Sequence, residues 1–233
     1  MDLQKESAAL TGTLENWFTG LSKKNLSELV RKPEKTAIIS VDMINGFCYT
    51  GTLASPRSAA IVPAITDLFS RLQSKGVRHF VLTQDTHDEH AVEFGSFPPH
   101  CLRGSDESEA VDAFKALPFF NEFKIFPKNS INSALNTGLP EWIDQHPEID
   151  TFIVVGVCTD LCIYQMAMYL RLDANSRQLS RRVVVPENCV QTYDTPVEAA
   201  VANNIPAHPG DLTHVLALYH MYLNGIEIIK ELE

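Results

Sequence analysis

Short β-branched apolar runs alternate along this chain with segments whose apolar residues recur at helical spacing, and each run stops abruptly at polar or glycine-containing residues. The most uniform run, Phe152 to Val155, suits a strand buried on both faces. Gly156 is expected to end it. Beyond the turn, Thr159 or Asp160 can cap a helix running through Ile163, Met166, Ala167 and Leu170, which leaves Cys162 in the first turn among unpaired backbone N–H groups. Similar runs predict strands over Thr36 to Asp42, Val77 to Asp85, Phe123 to Lys128, Arg182 to about Glu187 and Ile226 to Ile229. Helical spacing covers Ile61 to Leu72, closed by Lys75-Gly76, and then Leu139 to His146, Pro196 to Asn203 and Asp211 to Leu223. Strands alternating with helices specify an α/β fold: three layers, α-β-α, around a doubly wound, mainly parallel sheet with right-handed crossovers.

Ahead of this pattern, Leu14-Glu-Asn-Trp-Phe and Leu26-Ser-Glu-Leu-Val are weakly amphipathic. We expect residues 1–34 to be a helical extension laid against a main domain spanning 35–233. At 233 residues and 45% hydrophobic content, one well-packed domain is expected. The net charge of -10 argues against nucleic acid or an anionic membrane as a partner and favours a small-molecule substrate. No apolar run approaches the ~20 residues of a membrane span. A soluble, cytoplasmic homo-oligomer is expected. Five cysteines at irregular spacing do not form a disulfide framework, so reduced thiols are expected.

Composition leaves the chemistry open, but the ends of the strands narrow it. Asp42, Asp85 and Lys128 each end a predicted strand, and Cys162 follows another, so a doubly wound sheet brings them to one edge. Asp42, Lys128 and Cys162 combine a proton acceptor, a cation that favours a thiolate, and a nucleophile at a helix N-terminus, where a cysteine pKa falls below its ordinary value. Each has a plainer reading: a turn cap for Asp42, a surface charge for Lys128, and small core residues for Cys158 and Cys162. The long stretch Thr86 to Ser108 holds a second group. Asp85 and His87 lie one residue apart and point the same way on an extended backbone, Glu93 follows, and Pro98-Pro99 stiffens the approach to His100. Imidazole and carboxylate donors suit zinc, iron or manganese. His90 and Cys101 are spare candidates, and exposed loop histidines are the plain alternative.

Three motifs resemble one family. Asp42-Met-Ile-Asn-Gly-Phe-Cys48, Lys128 and Gly156-Val-Cys-Thr-Asp-Leu-Cys162 are similar to the marks of the isochorismatase-like cysteine hydrolases. The Asp85-x-His87 and Pro98-Pro-His100 elements resemble its nicotinamidase branch, with Glu93 at the place of a fourth ligand in some members. The likeness runs from Lys35 to the C-terminus. Ile44 stands where the family often has Gln, and Gly46 where it often has Asp. The resemblance implies the isochorismatase-like hydrolase fold and hydrolysis of nicotinamide to nicotinate and ammonia through a cysteine thioester. It implies Cys162 as nucleophile, Asp42 and Lys128 as its partners, and a cis peptide between Val157 and Cys158, with the amides of Cys158 and Cys162 facing the oxyanion. It also implies one divalent metal, zinc foremost, on Asp85, His87, Glu93 and His100. Phe47, Phe97 and Val157 are expected around the substrate. Another amide or carbamoyl hydrolase of the superfamily, or a thiol-redox protein using Cys158 and Cys162, are the alternatives.

Overall fold

The computed structural model describes residues 2–233, and its centre is a seven-stranded sheet. The strands are β1 (Thr36–Val41), β2 (His79–Asp85), β3 (Lys124–Lys128), β4 (Thr151–Val157), β5 (Arg182–Pro186), β6 (Val190–Gln191) and β7 (Glu227–Ile229). Their order is β3-β2-β1-β4-β5-β7, with β6 pairing β4 beyond the end of β5, and every pairing is parallel. The chain first builds outward from β1 to β3 and then returns to the other side of β1 with β4. Ligands in such sheets bind outside the carboxyl ends of the strands at this reversal.

Alternation along the buried strands sorts their side chains into two cores. Ile38, Phe80, Leu82, Ile153 and Val155 pack with the Val62–Lys75 helix and the Phe69, Phe114 and Phe123 rings. Ile39, Val41, Val81, Phe152 and Val154 pack on the opposite face with the helices Leu139–Gln145, Cys162–Ser176 and Gly210–Leu223. This is the expected three-layer arrangement. No helix among the described residues is long and apolar enough to cross a membrane.

The differences from the predicted boundaries are local. β2 begins at His79 and not Val77, and Asp42 lies one residue past β1, where its φ of 55° turns the chain away from the sheet. The weak pattern around Leu14 belongs to a 17-residue helix, Leu3–Thr19, whose N-terminal part is exposed and therefore carries little apolar periodicity. Gly156 does not end β4. It lies inside the strand opposite Val41, with φ 117°, and a Cβ there would stand 2.1 Å from the Val41 carbonyl oxygen. Only glycine tolerates both the backbone conformation and the approach of β1. Gly156→Ala is expected to destabilise the protein by about 3–5 kcal/mol or to prevent folding, because a central strand cannot shift away. A denaturant midpoint within about 1 kcal/mol of the parent's stability would refute that account of the position.

Candidate active site

The row Lys128, Asp85, Asp42, Cys162 follows the order of the strands β3-β2-β1-β4. Lys128 is paired directly with Asp85 in the β2–β3 register, and the Asp42 amide donates to the Thr83 carbonyl at 2.8 Å. Lys128 is buried. Its Nζ lies 2.9 Å from Asp42 Oδ2, 2.5 Å from Asp85 Oδ1, 3.1 Å from the Ser130 carbonyl and 3.7 Å from Cys162 Sγ. Asp42 Oδ1 accepts from the Asp85 amide at 2.8 Å, which locks the two carboxylates together.

These groups set one another's charge. Burial pushes the Asp42 carboxyl up to about 6, reinforced by the Asp85 charge and opposed by Lys128. Burial also works against the Asp85 charge, but Lys128 and the His100 and His87 contacts outweigh it and hold that carboxyl well below the usual range. Lys128 is held charged: burial opposes its charge, and Asp42 and Asp85 more than restore it. The Cys162 thiol is pushed well up, against the expectation of a lowered value. Burial is the main cause. Lys128 favours the thiolate, but two carboxylates oppose it, so the helix N-terminus acts on a site that already carries an excess of negative charge.

Cys162 opens the Cys162–Ser176 helix, as predicted, but Thr159 and Asp160 do not cap it. The Thr159 hydroxyl bonds His214 Nδ1 at 2.8 Å, and Asp160 takes the Thr192 hydroxyl and His208 Nε2. The peptide between Val157 and Cys158 is cis. Among the described residues, the amides of Cys158 and Cys162 donate no hydrogen bond, while those of Thr159, Leu161 and Ile163 do.

The second group shares Asp85 with the first, so the two predicted sites form one. Ligand atoms of Asp85, His87 and His100 all lie within 4.8 Å of one another, and all three residues are buried. His87 Nδ1 is 2.9 Å from Asn129 Oδ1 and His100 Nδ1 is 2.8 Å from the Pro98 carbonyl. Those oxygens can each accept from Nδ1, and each Nε2 is turned inward, 3.6 Å and 3.7 Å from Asp85. His87 Nε2 is buried without a hydrogen-bond partner. Two imidazoles beside a carboxylate, one ring nitrogen unsatisfied, are the donor set of a divalent metal. Glu93 lies outside this tight cluster: its Oε1 is 3.9 Å from His87 Nε2, and its Oε2 accepts from the Ile131 amide at 3.2 Å. His90 is exposed. Cys101 is fully buried, its thiol pushed up chiefly by burial, and a Cβ at Gly46 would meet its Sγ at 2.5 Å, so the glycine there makes room for it.

A cavity of about 460 Å³ opens on this row, lined by Asp85, Glu93, His100, Cys158 and Cys162 together with Phe47 and Phe97. Phe47 and Phe97 stand 5.7 Å and 6.4 Å from the His100 ring. Val157, expected beside the substrate, is fully buried and does not line the cavity, because the strand's alternation points it into the core. Several lining or supporting residues carry no sequence signal that we recognised: Asn129, which orients His87, Phe94, which packs edge-on against both histidines, and Leu161 and Tyr193 on the cavity wall. Asn129 follows a strand-end lysine directly, the one local cue that was available.

An isochorismatase domain is matched over residues 36–213, and the chain belongs to the isochorismatase family. The curated relatives within it include the nicotinamidase/pyrazinamidase of Mycobacterium tuberculosis, 31% identical over 70% of this chain and 91% of that protein. Nicotinamidase 1 of Arabidopsis thaliana is 26% identical over 88% of this chain and 89% of its own. Among solved structures, a pyrazinamidase of Pyrococcus horikoshii in complex with zinc superposes with a TM-score of 0.65 at 23% identity, covering 84% of this chain and 99% of that one.

Proposed function

We propose that this isochorismatase-family amidohydrolase converts nicotinamide to nicotinate and ammonia through a thioester on Cys162. The observation that carries the reading is that Cys162 and the Asp85–His100 face of the histidine cluster open on one cavity, so a thiol and a site for a ring-nitrogen ligand face the same small molecule. The nicotinamidase names of the relatives, and the zinc in the Pyrococcus protein, support the same reading.

Asp42 has the raised carboxyl needed of a base that must also act as an acid near neutrality. It takes the Cys162 proton as sulfur attacks the carboxamide carbon, with Lys128 balancing the charge that the buried thiol cannot carry at rest. The oxyanion is received by the amides of Cys158 and Cys162. Asp42 returns its proton to nitrogen as the C–N bond breaks and ammonia leaves. Asp42 then takes a proton from water as the water oxygen adds to the thioester, and gives it to sulfur as the C–S bond breaks. This restores the thiol and releases nicotinic acid, which ionises to nicotinate in water. A divalent ion held by Asp85, His87 and His100, with Glu93 beside them, would anchor the pyridine nitrogen and so present the carboxamide to sulfur. Phe47 and Phe97 would wall the flat ring. The product would place the enzyme in cytoplasmic NAD salvage.

Ammonia release from nicotinamide tests this directly, with benzamide as the comparison because it differs only at the ring nitrogen. Nicotinamide is expected to be preferred in kcat/KM by at least about thirtyfold, or about 2 kcal/mol. Equal rates would remove the role given to the histidine cluster, and no release from either would direct attention to carbamoyl substrates.

A further inference from the structure

Thr159 sits in the middle of the turn that carries Cys158 and Cys162, yet its side chain is fully buried and does not line the cavity. It is held from two sides: its amide donates to the Gln191 carbonyl at 3.0 Å, and its hydroxyl meets His214 Nδ1 at 2.8 Å. With no side-chain cap on the helix that follows, these distant tethers take over the local task of fixing the turn. His214 is buried, and its Nε2 has no hydrogen-bond partner but faces Glu187 Oε1 at 3.6 Å. That carboxylate favours a proton on Nε2, which leaves the Nδ1 lone pair to accept from the Thr159 hydroxyl.

The support continues to both ends of the chain. Glu187 Oε2 pairs with Lys230 Nζ at 2.6 Å, and Lys230 Nζ lies 4.9 Å over the ring of Phe18. Phe18, from the Leu3–Thr19 helix, also stands edge-on to His214 with ring centres 6.2 Å apart. The backbone joins the two ends: the Lys230 amide donates to the Ser22 carbonyl at 2.9 Å, and Lys24 exchanges bonds with Glu231 and Glu233. Phe18, His214 and Lys230 all lie outside residues 36–213, the span of the matched family domain.

We infer that His214 is a positioning residue for the nucleophile turn, and that the N-terminal segment, through Phe18, holds His214 in place. The inference rests on the hydrolytic role proposed for Cys162. Its effect is on the placement of the Cys158 and Cys162 amides and of sulfur, where a displacement of a few tenths of an ångström costs about tenfold in rate.

The test uses the full-length, metal-loaded protein and two readouts: kcat on nicotinamide per titratable Cys162, and the rate of Cys162 alkylation by iodoacetamide, assigned by peptide mass. His214→Ala is expected to lower per-site kcat about tenfold with KM within about twofold, and to change the alkylation rate at least about threefold. His214→Asn, whose Oδ1 can take the place of Nδ1 as acceptor, is expected to recover activity to within about threefold of the parent. Phe18→Ala should move both readouts in the same direction as His214→Ala, by about threefold. A role in folding alone would reduce the number of titratable sites and leave both per-site readouts unchanged, and that result in His214→Ala overturns the inference. Unchanged readouts in Phe18→Ala overturn the part given to the N-terminal segment. If the parent protein fails to hydrolyse nicotinamide, the substrate reading is lost, and the alkylation rates still decide the case of His214.

Discussion

Cys162→Ala is expected to lower kcat for nicotinamide hydrolysis by about 10⁴-fold or more, with the protein still folded and binding metal. Cys158→Ala, four residues away on the same turn, is expected to retain activity within about threefold. Both thiols are buried and line the cavity, so exposure does not separate them. Their surroundings do. Lys128 Nζ lies 3.7 Å from Cys162 Sγ, and Asp42 comes within reach of the same sulfur, so a proton acceptor and a compensating cation are both at hand. The Cys158 thiol has its value pushed up to about 12 by burial and then by the Asp160 charge, with no lysine beside it. In the proposed mechanism its backbone amide is the group with a role, and alanine keeps that amide. The same pair of variants decides the thiol-redox alternative, since an exchange pair needs both sulfurs and loses its activity when either is removed. A mass increase corresponding to a nicotinoyl group on Cys162, trapped by acid quench, would complete the assignment. Equal loss in the two variants would sink it.

The parts of this site that were legible in the sequence are those governed by local pattern. Buried parallel strands read as short apolar runs, and a charged residue at the end of such a run stands out because the interior of the strand excludes it. That reasoning found Asp42, Asp85 and Lys128, and the turn chemistry placed Cys162 at a helix start. The family resemblance supplied the roles and singled out Cys162 over Cys158. What was not legible depends on residues that only the fold brings together. Asp85 serves both halves of the site because β2 lies between β1 and β3, and no spacing along the chain expresses that. The raised value of the Cys162 thiol follows from burial and from counting charges delivered by three other strands, whereas the helix N-terminus alone pointed the other way. Thr159 and Asp160 have the residue types of a cap, but their side chains are taken by His214, Thr192 and His208, partners tens of residues distant. Gly156 reads as a strand terminator until the carbonyl of Val41 is placed beside it.

Removing the metal is expected to lower kcat/KM for nicotinamide by about 10²-fold, and re-addition of zinc, iron or manganese to the chelated protein is expected to restore it. The loss should fall mainly on nicotinamide. Benzamide has no ring nitrogen to anchor, so its slower hydrolysis should change little, and chelation should bring the two substrates close together. The fold should survive the treatment, because Asp85 keeps Lys128 and the Asp42 carboxylate keeps both Lys128 and the Asp85 amide when the ion is gone. A modest fall in melting temperature is expected from the lost binding energy alone. His87→Ala gives an independent check: it removes the buried ring nitrogen of the Asp85–His87–His100 cluster that has no partner, and it should lower metal content and the preference for nicotinamide together. If chelation instead abolished benzamide hydrolysis to the same degree, the ion would be acting on Cys162 or on the fold and not on the ring. The Asp85 that joins the two halves would then be the route, since it touches both His87 and His100 on one side and Lys128 on the other.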